Sequence, residues 1–302
     1  MTKRTSVIYD TDLCFGLPEA PLDGGLGLLY LLGSPEVTVR AVCTVGGARE
    51  VDAVMDAVAW TMRLAGAHGI PVIAGAKTAG DYATDASAFL AREAADRPGE
   101  ITVITTGSLS NIRGAFEHDP EFFGNLRSLI ITGGLRHRMQ LPRWNPELAV
   151  RLARDPAAVR TVLESALSPV VMTLHLGSLV TVTLDDIIGF RDYSTSLYHL
   201  FQEYLCSSHC ARATGKPKTY LWSVPSAIRV THPHLFADSI VRVSGSDTVD
   251  GETQFVDAEC GGTVCLPERI TDLDAFLGQL HRGLAAALST RKPADADVQG
   301  GA

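Results

Sequence analysis

The sequence predicts an α/β fold: a mostly parallel, doubly wound sheet with flanking helices, in a single domain. Three observations predict it. Short apolar runs of strand type alternate with segments whose apolar residues recur at helical spacing, the pattern of βαβ units. One of those runs, Ile101 to Thr105, is apolar on both faces, as a strand covered by helices on both sides must be. The first strand, Val7 to Tyr9, ends in two carboxylates, Asp10 and Asp12, and a third acid, Asp23, follows a loop rich in Gly and Pro. Ligands of open parallel sheets bind beyond the carboxyl ends of the strands, so these acids face a crevice.

Taken in order, the apolar run Leu26 to Leu32 has helical spacing, and Val37 to Thr44 is a second strand. A helix over Val51 to Ala65 ends near Gly66 and Gly69. Pro71 to Ala74 is a short strand and Ala76 to Tyr82 a loop. A helix over Ala86 to Ala95 is closed by Arg97-Pro98-Gly99. The strand Ile101 to Thr105 is followed by a helix from Asn111 to Asp119 and a strand from Leu126 to Thr132. Leu135 to Pro146 is a basic loop carrying His137, Trp144 and Asn145. A helix follows over Ala157 to Ala166, then a strand, Val170 to Thr173, ending at His175. Leu184 to Leu205 is predicted as one helix, and Tyr220, Leu221 and Trp222 as the start of another. Val241 to Val243 and Thr253 to Val256 read as an appended hairpin, and Asp272 to Leu288 as the last helix. The domain is predicted over residues 1–290. The tail 291–302, rich in Pro, Gly and Asp, has a disorder-type composition.

A chain of 302 residues with 46% hydrophobic content can bury a core of domain size. Its net charge of −8 and the lack of a Lys/Arg cluster argue against nucleic acid or an anionic membrane as partner. No apolar run approaches the ~20 residues that span a bilayer. The N-terminus leads directly into the first strand without a signal-peptide pattern, so a cytoplasmic location is expected. In a reducing compartment the six cysteines are expected as thiols. Cys206, His209, Cys210, Cys260 and Cys265 could be written as a zinc site, but their spacings are loose, and packing is the preferred reading. Cys14 lies two residues after Asp12. Acids around it would raise rather than lower its pKa, so it reads as a packed thiol.

The strand, the DTD tripeptide and the acid that opens the next helix resemble the N-terminal signature of the nucleoside hydrolases, inosine-uridine preferring enzymes that cleave the N-glycosidic bond of ribonucleosides. Four further stretches are similar in the same order. Thr44-Val45-Gly46-Gly47 looks like the family's TTVxGN, and the segment from Ile70 to Ala76 like its IPVYxGA. ITVITTGSLSN, ending at Asn111, looks like its ITLVALGPLTN, and LIITGG, ending at Gly134, like its IVIMGG. The resemblance implies a nucleoside-hydrolase-like fold and a small-molecule substrate. It also implies a homo-oligomer, since relatives are often dimers or tetramers.

Carried over residue by residue, the resemblance makes Asp12 the acid that activates water and binds calcium, Asp10 its companion and Asp23 a ribose contact. The family's second acid of the DD pair falls on Gly24, its asparagine after TTVxG on Ala48, and its late HDP or WDP motif on Trp222-Ser223-Val224. Arg151 falls where the family places a ribose contact; a guanidinium there could pair with Asp12 or Asp23 in place of the missing metal charge. Catalytic candidates are therefore Asp12, Asp10 and Arg151. Substrate-binding candidates are Asp23, Trp144, Asn145, His175, Tyr220 and Trp222, with Tyr220 a substitute donor for the leaving base. Calcium relies on several carboxylates. With Asp12 and the Thr132 backbone oxygen as the ligands left, no tightly bound calcium is expected.

Three functions stay open at this point. The first is an enzyme acting on a nucleoside-like or glycosylated small molecule through a calcium-independent, altered acid/base site, including one repurposed in a specialised biosynthetic pathway. The second is an ordinary calcium-dependent N-ribosyl hydrolase. The third is a non-catalytic binding protein that keeps the fold.

Overall fold

Successive residues of the first strand point into opposite cores, Val7 and Tyr9 into one and Ile8 into the other. That alternation makes a strand buried on both faces, and it organises the rest of the chain. The computed structural model describes residues 4–17, 20, 22–47, 49–136, 151–207, 210, 217–249 and 252–289, with the backbone alone over 245–249. Trp144, Asn145 and the predicted tail 291–302 lie outside the described residues.

Strand β1 (Thr5–Thr11) pairs in parallel with β2 (Val37–Thr44) on one side and β4 (Ile101–Thr105) on the other. The parallel order continues through β3 (Val72–Ile73) at one edge and through β5 (Ser128–Thr132) and β6 (Val170–Met172) toward the other. The chain therefore winds outward in both directions from β1, and the crevice between the ends of β1 and β4 is the topological switch point of the doubly wound sheet. Helix α1 (Asp23–Gly33) follows β1 and begins at an acid, in favourable register with the helix dipole. Helix α2 (Val51–Leu64) follows β2. Helix α3 (Asp85–Asp96) opens on a reciprocal cap between Thr84 and Ser87. Helix α4 (Ser110–His118) follows β4. The last helix, Leu273–Leu288, packs on α1 through two glycines; a Cβ on Gly33 would lie 1.9 Å from the Gly283 carbonyl oxygen.

Several boundaries differ from the sequence reading, each because tertiary pairing overrides local pattern. The expected hairpin is not appended. Strands β9 (Phe236–Val249), β10 (Glu252–Asp257) and β11 (Gly262–Ile270) are antiparallel members of the main sheet, joined to it where Cys265 pairs with Val170. The predicted helix 184–205 is broken into Leu184–Ile188, a 3₁₀ turn Gly189–Asp192 and Thr195–Cys206, because Ser194 caps a new helix. Tyr220 does not start a helix: it ends β8 (Lys218–Tyr220), which pairs with β7 (Thr181–Thr183), and the helix begins at Val224. His175 is not a strand end but lies inside the short helix Leu174–Ser178. No helix among the described residues is long and apolar enough to cross a membrane.

Candidate active site

At the end of β1, Asp10 is completely buried. Its Oδ1 accepts a hydrogen bond of 2.7 Å from Asn111 Nδ2, which also donates to the Thr44 carbonyl at 3.0 Å. The Asn111 Oδ1 in turn accepts from the Ala76 backbone N–H. One amide thus ties together the ends of β1 and β2 and the loop after β3. Oδ2 of Asp10 is buried and has no hydrogen-bond partner among the described residues. Burial pushes the Asp10 carboxyl up to about 7, against the pull of Asn111 and Thr105.

Asp12 lies two residues on, 8% exposed, in a slot whose walls are backbone. A Cβ on Gly47 would come within 2.5 Å of its Oδ2, and one on Gly107 within 3.2 Å of its Cβ. The glycines of both loops, the one after β2 and the one after β4, are what leave this carboxylate its space. Burial raises the Asp12 pKa, while the guanidinium groups of Arg151 and Arg154 pull it back down. Cys14 is buried, and its thiol donates to the Asp12 carbonyl at 3.3 Å, the packed role expected of it.

Asp23, the first residue of α1, meets two residues from the far half of the chain. Its Oδ2 accepts from the Ser223 N–H at 2.8 Å and stands 3.8 Å from Arg151 Nη2. Arg151 is itself 4% exposed and donates through Nη1 to the Ser223 hydroxyl at 3.0 Å. Three residues further, Arg154 donates to the Gly47 carbonyl at 2.9 Å, on the loop that walls Asp12, and its buried Nε has no partner among the described residues. The charges of both guanidinium groups thus oppose the desolvation of the Asp12 carboxyl, without reversing it.

The structure brings Asp10, Asp12, Asp23 and Arg151 together at the switch point. His175 is elsewhere. It lines a separate cavity of about 180 Å³ with Arg136, Thr173, Ser239 and Glu268, and none of the three acids lines it. The helical turn after β6 carries its side chain toward β9 and β11 rather than toward β1. Trp222 is buried with its ring against Gly177, so it packs in the core more than it faces the crevice. Tyr220 is half-buried, stacks on Trp222 at 5.1 Å and has the Lys218 ammonium 5.0 Å from its ring centre. Thr132 is buried at the end of β5 with its hydroxyl 2.5 Å from that of Ser226. Among the cysteines of the zinc reading, Cys206 and Cys260 are exposed and Cys210 and Cys265 buried; Cys210 donates to the Lys218 carbonyl. His209 lies outside the described residues. Among the described residues no group of three or more His, Cys, Asp or Glu is gathered as metal ligands.

Sequence reasoning passed over Arg154, Asn111 and Ser223 as functional residues. The signals were present in part: Arg154 repeats Arg151 one turn later, just ahead of Asp155-Pro156, and Asn111 closes the GSLSN stretch.

A profile of the family described as inosine-uridine preferring nucleoside hydrolase matches residues 7–276. The chain belongs to that family. Its membership places it among hydrolases of N-glycosidic bonds. Uridine nucleosidase 1 of Arabidopsis thaliana is 22% identical over 285 residues, covering 83% of this chain and 82% of that protein. Among solved structures, a plant nucleoside hydrolase, PpNRh1, superposes with a TM-score of 0.77 at 20% identity, covering 93% of this chain and 99% of the other. A purine-preferring ribonucleoside hydrolase from Gardnerella vaginalis does so at 0.79 and 15%, covering 95% and 100%. At these identities the structural likeness speaks for the fold.

Nucleoside hydrolases typically use calcium, an ion that takes six to eight oxygen ligands. Among the described residues, the donor set around Asp12 does not fit that ion. Two carboxylates, Asp12 and Asp23, share the space with a buried guanidinium, and the Ser223 hydroxyl is already engaged by that guanidinium. The position of the missing acid, Gly24, is closed as well: a Cβ there would meet the Leu13 Cβ at 2.9 Å.

Proposed function

We propose that this nucleoside hydrolase family member cleaves the N-glycosidic bond of a ribonucleoside or a closely related N-riboside without calcium, with Arg151 and Arg154 supplying the positive charge beside the general base. The observation that carries the proposal is the buried Arg151 guanidinium, which stands 3.8 Å from Asp23, donates to the Ser223 hydroxyl and bears its charge on Asp12. Asp12 takes a proton from water as its oxygen bonds to the anomeric carbon. The bond from that carbon to the base nitrogen breaks, and the base leaves with the electron pair and picks up a proton. The sugar passes through an oxocarbenium-like state, which the Asp12 and Asp23 carboxylates stabilise. Asp23 is assigned a ribose hydroxyl. Tyr220, half-buried three residues before Ser223, is assigned the face of the base and the proton it needs. Asp10, held by Asn111 and driven toward its neutral form, is a support for the strand end rather than a second base.

The test combines metal content with turnover. Uridine and inosine are offered to the purified protein and to Asp12→Asn, with a chelator and with added calcium, while calcium binding is measured by calorimetry. The expected result is turnover indifferent to chelator, no calcium heat, and a loss of about 10²–10⁴-fold in Asp12→Asn. Stoichiometric calcium with chelator-sensitive turnover would transfer the assignment to an ordinary calcium-dependent hydrolase. Binding of nucleoside without turnover would leave a binding protein.

A further inference from the structure

The Arg151–Arg154 turn is buried at its N-terminal end, where the first N–H groups of any helical turn have no partner of their own. Their acceptor comes from the other end of the chain. Glu252, the first residue of β10 and fully buried, accepts from the Arg151 N–H at 3.0 Å through Oε2. Its Oε1 accepts from the Ala153 N–H at 3.2 Å and from the Thr253 N–H at 2.6 Å. The far end of the turn is fixed separately. Asp155 accepts from the Ala158 N–H, from the Ser110 hydroxyl at 2.7 Å and from the Tyr82 hydroxyl at 3.1 Å. The two side chains that flank Asp12 thus stand on a short 3₁₀ turn clamped at both ends by carboxylates, one of which belongs to the antiparallel edge of the sheet.

A carboxylate is a costly way to satisfy two backbone N–H groups in a buried site, since a serine or asparagine cap would do so without burying a charge. The two oxygens of a carboxyl group also let one side chain accept from all three N–H groups, those of Arg151, Ala153 and Thr253. We propose that Glu252 is a positioning residue for the active site, holding the Arg151–Arg154 turn so that both guanidinium groups stay against Asp12. The inference rests on the reading that these arginines act with Asp12, and it gives β10 a role in the reaction that the family comparison does not assign.

The experiment uses the full chain and a chromogenic riboside, p-nitrophenyl β-D-ribofuranoside, with Glu252→Gln, Arg151→Met/Arg154→Met and the triple variant. In the wild-type protein the amides of Arg151 and Ala153 are expected to exchange with solvent at least about 100-fold more slowly than unprotected ones, as hydrogen-bonded buried amides do. In folded Glu252→Gln that protection falls and the side-chain Nε–H signals of both arginines shift. kcat drops about 10- to 100-fold with KM nearly constant, a misplacement effect. Adding Glu252→Gln to the variant lacking both arginines is expected to change kcat less than about twofold, because the residue acts through them. Unchanged kcat and arginine signals in folded Glu252→Gln would overturn the proposal, as would an equal loss with and without the arginines. Fast exchange at both wild-type amides overturns it even where the variant does not fold. A wild-type protein inert toward the riboside, uridine and inosine alike would defeat the hydrolytic reading alone, and the amide and arginine signals would still decide the role of Glu252.

Discussion

Asp10 and Asp12 stand two residues apart at the end of the same strand, both buried, yet charge is handled differently around them. Asp10 is held by an amide, and burial drives its pKa up to about 7. Asp12, nearly as buried and with its pKa also raised, has two guanidinium groups that oppose its desolvation. Both carboxyls shift upward; the difference is that two cations, Arg151 and Arg154, oppose the shift at Asp12, while neutral donors oppose it at Asp10. The two environments arise from a single DTD tripeptide, and on the proposed reading they separate a supporting acid from the general base.

The largest effect that can break this contrast is expected from Arg151→Met. It leaves Asp23 and Asp12 without their buried counter-charge, and breaking such a pair costs about 3–5 kcal/mol. Urea denaturation at neutral pH measures that loss, and a loss below about 1 kcal/mol would mean that the guanidinium is not the charge that holds the site together.

Asp10→Asn sharpens the other half of the comparison. Because the folded Asp10 pKa lies above the unfolded value, the folded state keeps a proton that the unfolded chain releases. The stability from Asp10 is complete below the ordinary carboxylate range and is lost as pH rises to about 7, above which the curve is flat. Glu252, raised to about 7 by burial despite its three N–H donors, slopes the same way. The wild-type protein should therefore lose stability between about pH 4 and about pH 7, and Asp10→Asn should lose about 3 kcal/mol less over that window. Equal slopes in the two proteins would show that Asp10 is ionised throughout.

A smaller effect is expected at Asn111. Asn111→Ala removes one side chain that satisfies Asp10, Thr44 and Ala76, leaving buried partners open at about 1–3 kcal/mol. It should also steepen the pH dependence, since Asp10 loses the donor that favours its charged form. A melting-temperature series against pH checks both.

The sequence by itself determined the parallel βαβ core, the placement of Asp10, Asp12 and Asp23 at one sheet end, and the family to which these motifs belong. These features are local. A strand buried on both faces reads as an apolar run, and the strand's end is where its polar residues start. Only the tertiary structure decided what those acids touch. Asp23 meets the Ser223 backbone 200 residues away, and Glu252 holds Arg151 across 101 residues. No periodicity encodes such pairs, because each depends on which strands become neighbours. For the same reason His175 was misplaced: its strand was correctly read, but one helical turn beyond the strand end aims the side chain at β9 and β11. The hairpin taken as an appendage became the edge of the main sheet, and with it the support of the active-site turn. The pattern of apolar residues sets which segments are buried, and long-range pairing sets which buried charges share a site.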